Sequence, residues 1–131
     1  MEHRKINPWK WQDQYAFSQA IEVTNASRVL YCAGQASVDE NGKPLHAGDL
    51  RKQLEQAFRN LETVLQASGY ELANLVRLNF YTTDVDGFLS ASDIVASRLN
   101  QAGCQPPGTL LGVDKLAFPG LMIELEATAA K

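Results

Sequence analysis

Residues 50–68 constrain the fold more than any other stretch of this sequence, because their apolar side chains recur at steps of three and four. This spacing predicts a helix with one apolar face that must be buried against another layer. Asp49 can cap the amino terminus of the helix, and Gly69 can end it. The apolar stripe consists of Leu50, Leu54, Ala57, Phe58, Leu61, Val64 and Leu65.

Segments typical of strands lie on both sides of this helix. Residues 17–23 favour a strand, the apolar run 28–35 predicts a buried strand, and Asn41-Gly42 indicates a hairpin over residues 36–45. Residues 75–82 alternate between apolar and polar side chains, which predicts a strand with one buried face. Residues 109–113 and 121–127 predict the last two strands, and in the second of these Met122, Glu124 and Glu126 face away from the core.

A second helix is predicted over residues 87–101, with Asp86 as its cap and Gly103 at its end. The resulting order of elements is six strands with two helices, and two helices of this kind can cover only one face of the sheet. The other face stays open and includes apolar and aromatic groups, so self-association is expected. Residues 1–131 form a single domain, of which residues 1–14 are an arm or a short edge strand.

Composition narrows the possible functions. The 131 residues carry a net charge of −3, which argues against a general nucleic-acid binder. No apolar run approaches the length of about 20 residues that a membrane span needs, and a cytoplasmic protein with reduced Cys32 and Cys104 is expected. Two histidines provide no zinc-ligand spacing, so we expect no metal site.

Five short segments together resemble the RidA/YjgF family. They are FSQAIEV at residues 17–23, YCAGQ at residues 31–35, the helix pattern of Gln53, Phe58, Asn60, Leu61 and Leu65, FYTTD at residues 80–84 and IELEA at residues 123–127. The resemblance implies a chorismate-mutase-like α+β fold, in which a mixed, mainly antiparallel six-stranded sheet carries two helices on one face. It also implies a barrel-like homotrimer with three clefts between neighbouring subunits. It implies a small-molecule metabolite as the partner that occupies those clefts.

The activity that the resemblance implies is hydrolysis of enamine or imine intermediates such as 2-aminoacrylate, which releases ammonia without a metal or cofactor. In the family an arginine of a PAR[ST] segment pairs with the substrate carboxylate, and a glutamate on the last strand handles a water molecule. Glu124 matches that glutamate and is the expected catalytic residue, and Gly34 matches the glycine of the cleft wall. The expected substrate-binding residues are Phe17, Ser18, Gly34, Gly108, Thr109 and Leu110.

The sequence departs from the family pattern where the substrate carboxylate would bind. Gly108 stands at the position of the arginine, and Phe17 replaces a tyrosine. A carboxylate without a cationic partner is costly to bury, so we expect a neutral or cationic ligand and little 2-aminoacrylate deamination. Lys115, Arg77 and Arg28 are the residues that could supply a substitute cation.

Several alternatives remain open at this point. Glu124 is either a general acid/base or a solvated or hydrogen-bonded strand carboxylate like Glu126. Trp9 and Trp11 either line the cleft mouth or pack the arm. The protein is either an imine or enamine deaminase or a non-catalytic trimeric binding or regulatory protein. A ribonuclease or translation-inhibitor role is disfavoured by the acidic charge balance.

Overall fold

The amphipathic stretch forms helix α1 (Leu50–Ala67) in the computed structural model, which describes residues 1–131. The Asp49 side chain caps it by accepting a hydrogen bond of 3.1 Å from the Lys52 N–H, as predicted. Seven of the helix residues are buried, and they form the predicted apolar stripe except that Gln53 joins it and Val64 does not. Gly69, with φ of 78°, follows the helix.

Strands and further helices surround α1. The strands are β1 (Glu2–Ile6), β2 (Ala20–Thr24), β3 (Val29–Tyr31), β4 (Gln35–Ala36), β5 (Leu75–Thr82), β6 (Leu110–Gly112) and β7 (Ile123–Ala130). The other helices are α2 (Val85–Ser90) and α3 (Ser92–Ala102). A turn of 3-10 helix, Trp11–Tyr15, separates β1 from β2.

The sheet has five strands in place of the six that we expected. Its order is β3-β7-β5-β6, with β4 also paired to β7, and every pair is antiparallel except β5 with β6. Strands β1 and β2 form a separate antiparallel pair, because β2 has its only strand partner in β1. The amino-terminal arm is therefore an edge strand of this small pair.

The helices cover one face of the five-stranded sheet, which confirms the α+β architecture. Leu78, Ile123, Leu125 and Ala127 of the sheet are buried in one core with Phe58 and Leu61 of α1 and with Leu99 of α3. Arg98 joins the two long helices through hydrogen-bonded ion pairs to Glu55, at 2.6 Å, and to Glu62, at 3.0 Å.

The prediction that residues 28–35 form a buried strand was wrong. Strand β3 lies at the sheet edge and has three residues, of which Val29 is 49% exposed and Tyr31 is 81% exposed. Their β7 partners Ala130 and Thr128 alternate with Ala127 and Ala129 of the core, so Val29 and Tyr31 face the uncovered side of the sheet. The pattern predicted a strand correctly but could not tell which face of it a neighbour covers.

The second predicted helix is divided at Ala91 into α2 and α3. Its cap is Asp84, whose side chain accepts a hydrogen bond of 2.9 Å from the Gly87 N–H, and the prediction of Asp86 was wrong. Asp84 follows β5 almost directly, so the chain begins the helix two residues earlier than expected. None of the three helices combines the length and apolar character that crossing a membrane requires.

Candidate functional site

The Glu124 side chain lies on the uncovered face of the sheet, over the backbone of Gly34. A Cβ atom at residue 34 would overlap the Glu124 carboxylate, so a larger residue there would displace the carboxylate from this position. Glu124 is half-buried, and the ion pairs of the protein all lie elsewhere. Two predicted residues, Gly34 and Glu124, are thus brought together with the carboxylate oxygens free to accept protons or hydrogen bonds.

Two amide side chains of α1 hold the strands that carry this pair. Gln53 is fully buried, donates to the Gly120 carbonyl at 2.6 Å and accepts from the Met122 N–H at 2.8 Å. Asn60 donates to the carbonyl oxygens of Ala36 and Val38, at 2.8 and 2.9 Å. The helix therefore fixes the start of β7 and the end of β4, and with them the position of Glu124 over Gly34.

A polar cluster lies beside Glu124 on the same face. Tyr81, the cross-strand neighbour of Glu124, donates its hydroxyl to Glu126 Oε1 at 2.8 Å, and Asn79 donates to the same oxygen at 3.0 Å. These two donors, Asn79 first, hold the pKa of Glu126 below its ordinary value. The bond to Glu126 raises the pKa of the Tyr81 hydroxyl, and the negative charge of Glu124 adds to that effect.

Asn79 also shapes the loop that precedes β6. The N–H of Thr109 donates to Asn79 Oδ1 at 3.0 Å, whereas a regular parallel ladder would direct it to the Leu78 carbonyl. Gly108 approaches that carbonyl so closely that a Cβ atom would overlap its oxygen. Residue 108 therefore accepts a side chain only if the main chain of the loop or of β5 shifts.

Four other predicted residues line one cavity on the opposite, helix-covered side of the sheet. Phe17, Gly108, Thr109 and Leu110 belong to the wall of this cavity, whose volume is about 410 Å³. The Leu110 side chain lies beside Phe80, and Phe80 alternates with Tyr81, so Leu110 and Glu124 are on different faces. A single chain therefore holds the predicted site as two separate halves.

Ser18 and the candidate cations lie outside both halves. Ser18 is buried next to Phe17, and its Oγ atom has no hydrogen-bond partner. Arg28 stacks on the ring of Tyr70, with its Cζ atom 5.0 Å from the ring centroid. Arg77 is exposed on the uncovered face, four residues before Tyr81, and Lys115 lies in the loop between β6 and β7. None of the three lines the cavity.

The remaining candidates have clear positions. Trp11 lines the cavity and meets Phe17 edge-on, with ring centroids 5.7 Å apart, whereas Trp9 is exposed and lines no part of the cavity. Cys104 is buried, and burial raises the pKa of its thiol to about 11. No group of three histidine, cysteine, aspartate or glutamate side chains is arranged to hold a metal ion.

Asn79 and Tyr81 were not singled out from the sequence as functional residues. Their alternation with buried residues predicted the uncovered face correctly. Their shared partner Glu126 was expected to be a solvated or hydrogen-bonded strand carboxylate, and the structure shows it exposed and hydrogen-bonded to both side chains. The only available signal was the matching of polar positions on two strands, which requires the register between β5 and β7.

Comparison with known proteins identifies relatives along most of the chain. The sequence model of the family described as Endoribonuclease L-PSP matches residues 11–131. A RutC family protein of Pyrococcus horikoshii is 29% identical over 115 residues, covering 88% of this chain and 86% of that protein. A 2-iminobutanoate/2-iminopropanoate deaminase of Rattus norvegicus is 26% identical over 114 residues, covering 80% and 81%.

A solved structure is similar along the whole length. The crystal structure of YyfB, a Rid family protein of unknown function from Yersinia pestis, is 32% identical. The two structures superpose with a TM-score of 0.88, and the match covers 100% of each chain.

Proposed function

The chain belongs to the RidA/YjgF family, whose sequence model is described as Endoribonuclease L-PSP, and on that premise we propose that it hydrolyses imine or enamine-like metabolites without a cofactor. Some relatives are named as imine deaminases, which supports this reaction class at a coarse level. The observation that carries the proposal is the free carboxylate of Glu124, half-buried against Gly34 on the uncovered sheet face. A cytoplasmic location is part of the proposal and is supported by two unpaired cysteines.

The proposed site is assembled from two copies of the chain. Phe17, Gly108, Thr109 and Leu110 lie around a cavity on one side of the sheet, and Glu124 with Gly34 lies on the other side. One copy offers the cavity half and the next copy offers Glu124, which a homotrimer with three equivalent junctions accommodates. The exposed apolar side chains of Val29, Tyr31 and Leu111 on the uncovered face support such an association.

The proposed reaction is addition of water to a carbon–nitrogen double bond. Glu124 accepts a proton as the water oxygen bonds to the imine carbon, which gives a carbinolamine. The same carboxyl group delivers that proton to the nitrogen, which completes the carbinolamine. It then relays the hydroxyl proton to the nitrogen as well, so the carbon–nitrogen bond breaks with its electron pair on nitrogen, and ammonia and a carbonyl compound leave. One water is consumed and no electrons are transferred to or from an outside group, so the step needs no redox cofactor.

The proposed specificity follows from the absence of a cation at the cavity. Gly108 has no side chain, its main chain is fixed against Leu78, and Arg28, Arg77 and Lys115 lie elsewhere. A substrate carboxylate would have to be desolvated without a charge partner, which costs several kcal/mol. We therefore expect imines without a carboxylate to be preferred over 2-imino acids.

The experiment compares two imines made in situ. An amine oxidase converts propylamine into an imine without a carboxylate, and an amino acid oxidase converts alanine into 2-iminopropanoate. We expect this protein to accelerate ammonia release from the first imine by at least about tenfold more than from the second. Glu124→Gln is expected to abolish the acceleration, and Glu40→Gln in the exposed hairpin is the matched control. Unchanged rates in Glu124→Gln would exclude catalysis by this carboxylate.

A second candidate function is ligand binding without chemistry. The observation that favours it is the cavity itself, which is largely apolar and has no charged side chain in its wall. Saturable binding of an imine analogue, with no acceleration of ammonia release from either imine, would support this function over the hydrolase.

A further inference from the structure

The cavity is deeper and more apolar than a site for a small imino acid requires. Of its 15 lining residues 11 are hydrophobic, and none is a lysine, arginine, histidine, aspartate or glutamate. An apolar cavity of about 150 Å³ already admits a benzene ring. A volume of about 410 Å³ therefore has room for a ring together with a linking group.

The wall of the cavity has a buried floor and an exposed rim. Leu78, Phe88, Val95 and Leu99 form the floor, and none of them is more than 6% exposed. The rim consists of Trp11, Tyr15 and Leu89, which are 57%, 45% and 47% exposed, together with the exposed Gly108 and Thr109. The open end of the cavity therefore lies at this rim, beside the polar side chain of Thr109.

The aromatic side chains favour a flat, unsaturated group over an aliphatic one. Phe80 and Phe88 meet with centroids 5.0 Å apart at an interplanar angle of 48°, and Trp11 meets Phe17 at 73°. Tilted and edge-on pairs present both ring faces and ring edges to the space between them. An aromatic guest can add stacked or edge-on contacts of this kind, which stabilise it beyond the burial of its area.

We propose that this cavity binds an uncharged aromatic group of the ligand, so that the substrate class is aryl-substituted imines or their neutral analogues. This inference rests on the proposed function for the identity of the reacting group. It does not rest on it for the binding of the aromatic group, since the cavity is complete within one chain.

The test uses three fluorinated probes and ligand-observed fluorine NMR on the full-length protein. 4-Fluorobenzamide has an aromatic ring and no charge, 4-fluorobenzoate adds a charge, and fluoroacetamide lacks the ring. We expect 4-fluorobenzamide to bind at least about tenfold more tightly than either of the others. Equal binding of the benzoate, or no binding of the benzamide, would overturn the proposal. Absence of 4-fluorobenzamide binding is also the expected result if a neighbouring copy fills the cavity in solution.

Variants of the cavity wall show whether 4-fluorobenzamide binds in the cavity. Val95→Trp fills the floor and is expected to abolish 4-fluorobenzamide binding, whereas Asn100→Trp at an exposed position of the same helix is expected to leave it unchanged. If Val95→Trp does not fold, Leu89→Asp at the exposed rim is expected to weaken binding several-fold. Val85→Asp, at an exposed position of the same helix outside the cavity, is its control. Binding that survives both Val95→Trp and Leu89→Asp would place the probe elsewhere and overturn the proposal.

The outcome separates this inference from the proposed function. Probe binding without hydrolysis of any imine would contradict the hydrolase and leave the aromatic subsite standing. Hydrolysis of small imines without probe binding would contradict the aromatic subsite and leave the hydrolase standing.

Discussion

The Glu124 carboxylate lies so close to the α-carbon of Gly34 that a methyl group on residue 34 would overlap it. Glycine at this position therefore defines where the carboxylate lies. Gln53 and Asn60 of α1 anchor the main chain around the two residues through hydrogen bonds of 2.6–2.9 Å, so neither strand can shift freely to relieve an overlap.

Gly34→Ala is expected to displace the Glu124 carboxylate, which is the flexible end of a side chain and can move, and to lower the free energy of unfolding by about 1 kcal/mol. In a Glu124→Ala background the added methyl group no longer meets a carboxylate, so the same substitution is expected to cost close to nothing. Chemical denaturation of the four proteins measures the difference. Equal costs in both backgrounds would show that the two residues are not coupled.

Gly108→Ala is expected to lower the free energy of unfolding by about 2 kcal/mol or more, because the new Cβ atom meets a main-chain carbonyl that cannot rotate away. Gly112→Ala, in strand β6 of the same edge, is the matched control, since its Cβ atom would meet only the Val85 side chain. We expect a smaller loss there. A Gly108→Ala protein as stable as the wild type would contradict the geometry of this loop.

Gly108→Arg is for the same reason not expected to produce a 2-imino acid deaminase. The side chain can be accommodated only if the edge of the sheet moves away from Leu78. Ammonia release from 2-iminopropanoate, with circular dichroism to verify folding, measures this. A folded variant with new deaminase activity would show that the missing cation alone limits specificity.

Tyr81→Phe is expected to raise the pKa of Glu126 toward its ordinary value, because it removes a hydrogen bond that favours the carboxylate. The folded-state pKa of Glu126 is lowered, so its contribution to stability is present at neutral pH and is lost as the pH falls through that pKa. NMR titration of the Glu126 carboxyl carbon measures the shift, and Tyr15→Phe serves as the control. An unchanged titration midpoint would contradict the assigned bond.

Cys104 is expected to resist thiol reagents. Its pKa of about 11 leaves little thiolate at pH 8, and the side chain is 6% exposed. In a Cys32→Ser protein, modification of the native state at pH 8 should be more than about a hundredfold slower than in denaturant. Similar rates in the two states would contradict the burial of this thiol.

The sequence predicted the elements that depend on local periodicity. The helix at residues 50–68, its Asp49 cap and the alternation of residues 75–82 needed only the spacing of apolar side chains. The division at Ala91 and the exposed β3 strand were not predictable in this way, since both depend on which tertiary neighbours cover each side chain.

The candidate site was predictable in part. Resemblance to the family indicated Glu124 and Gly34, which the structure places together, and four residues that share one cavity. It could not indicate the contact of Gly108 with the Leu78 carbonyl or the hydrogen bond from Thr109 to Asn79, because both join segments about 30 residues apart. The apolar floor of the cavity was likewise not predictable, because its residues come from three separate elements, β5, α2 and α3.

We propose that each site joins Glu124 of one copy to the cavity of another. Oligomers mixed from two inactive variants show directly whether the site is shared in this way. Glu124→Gln and Phe17→Asp proteins are each expected to be inactive in imine hydrolysis. After subunit exchange at equal amounts, about one quarter of the junctions in a cyclic trimer would combine an intact Glu124 with an intact Phe17. We predict that ammonia release recovers to about a quarter of the wild-type rate. A mixture that remains as inactive as its two parents would contradict a site shared between copies.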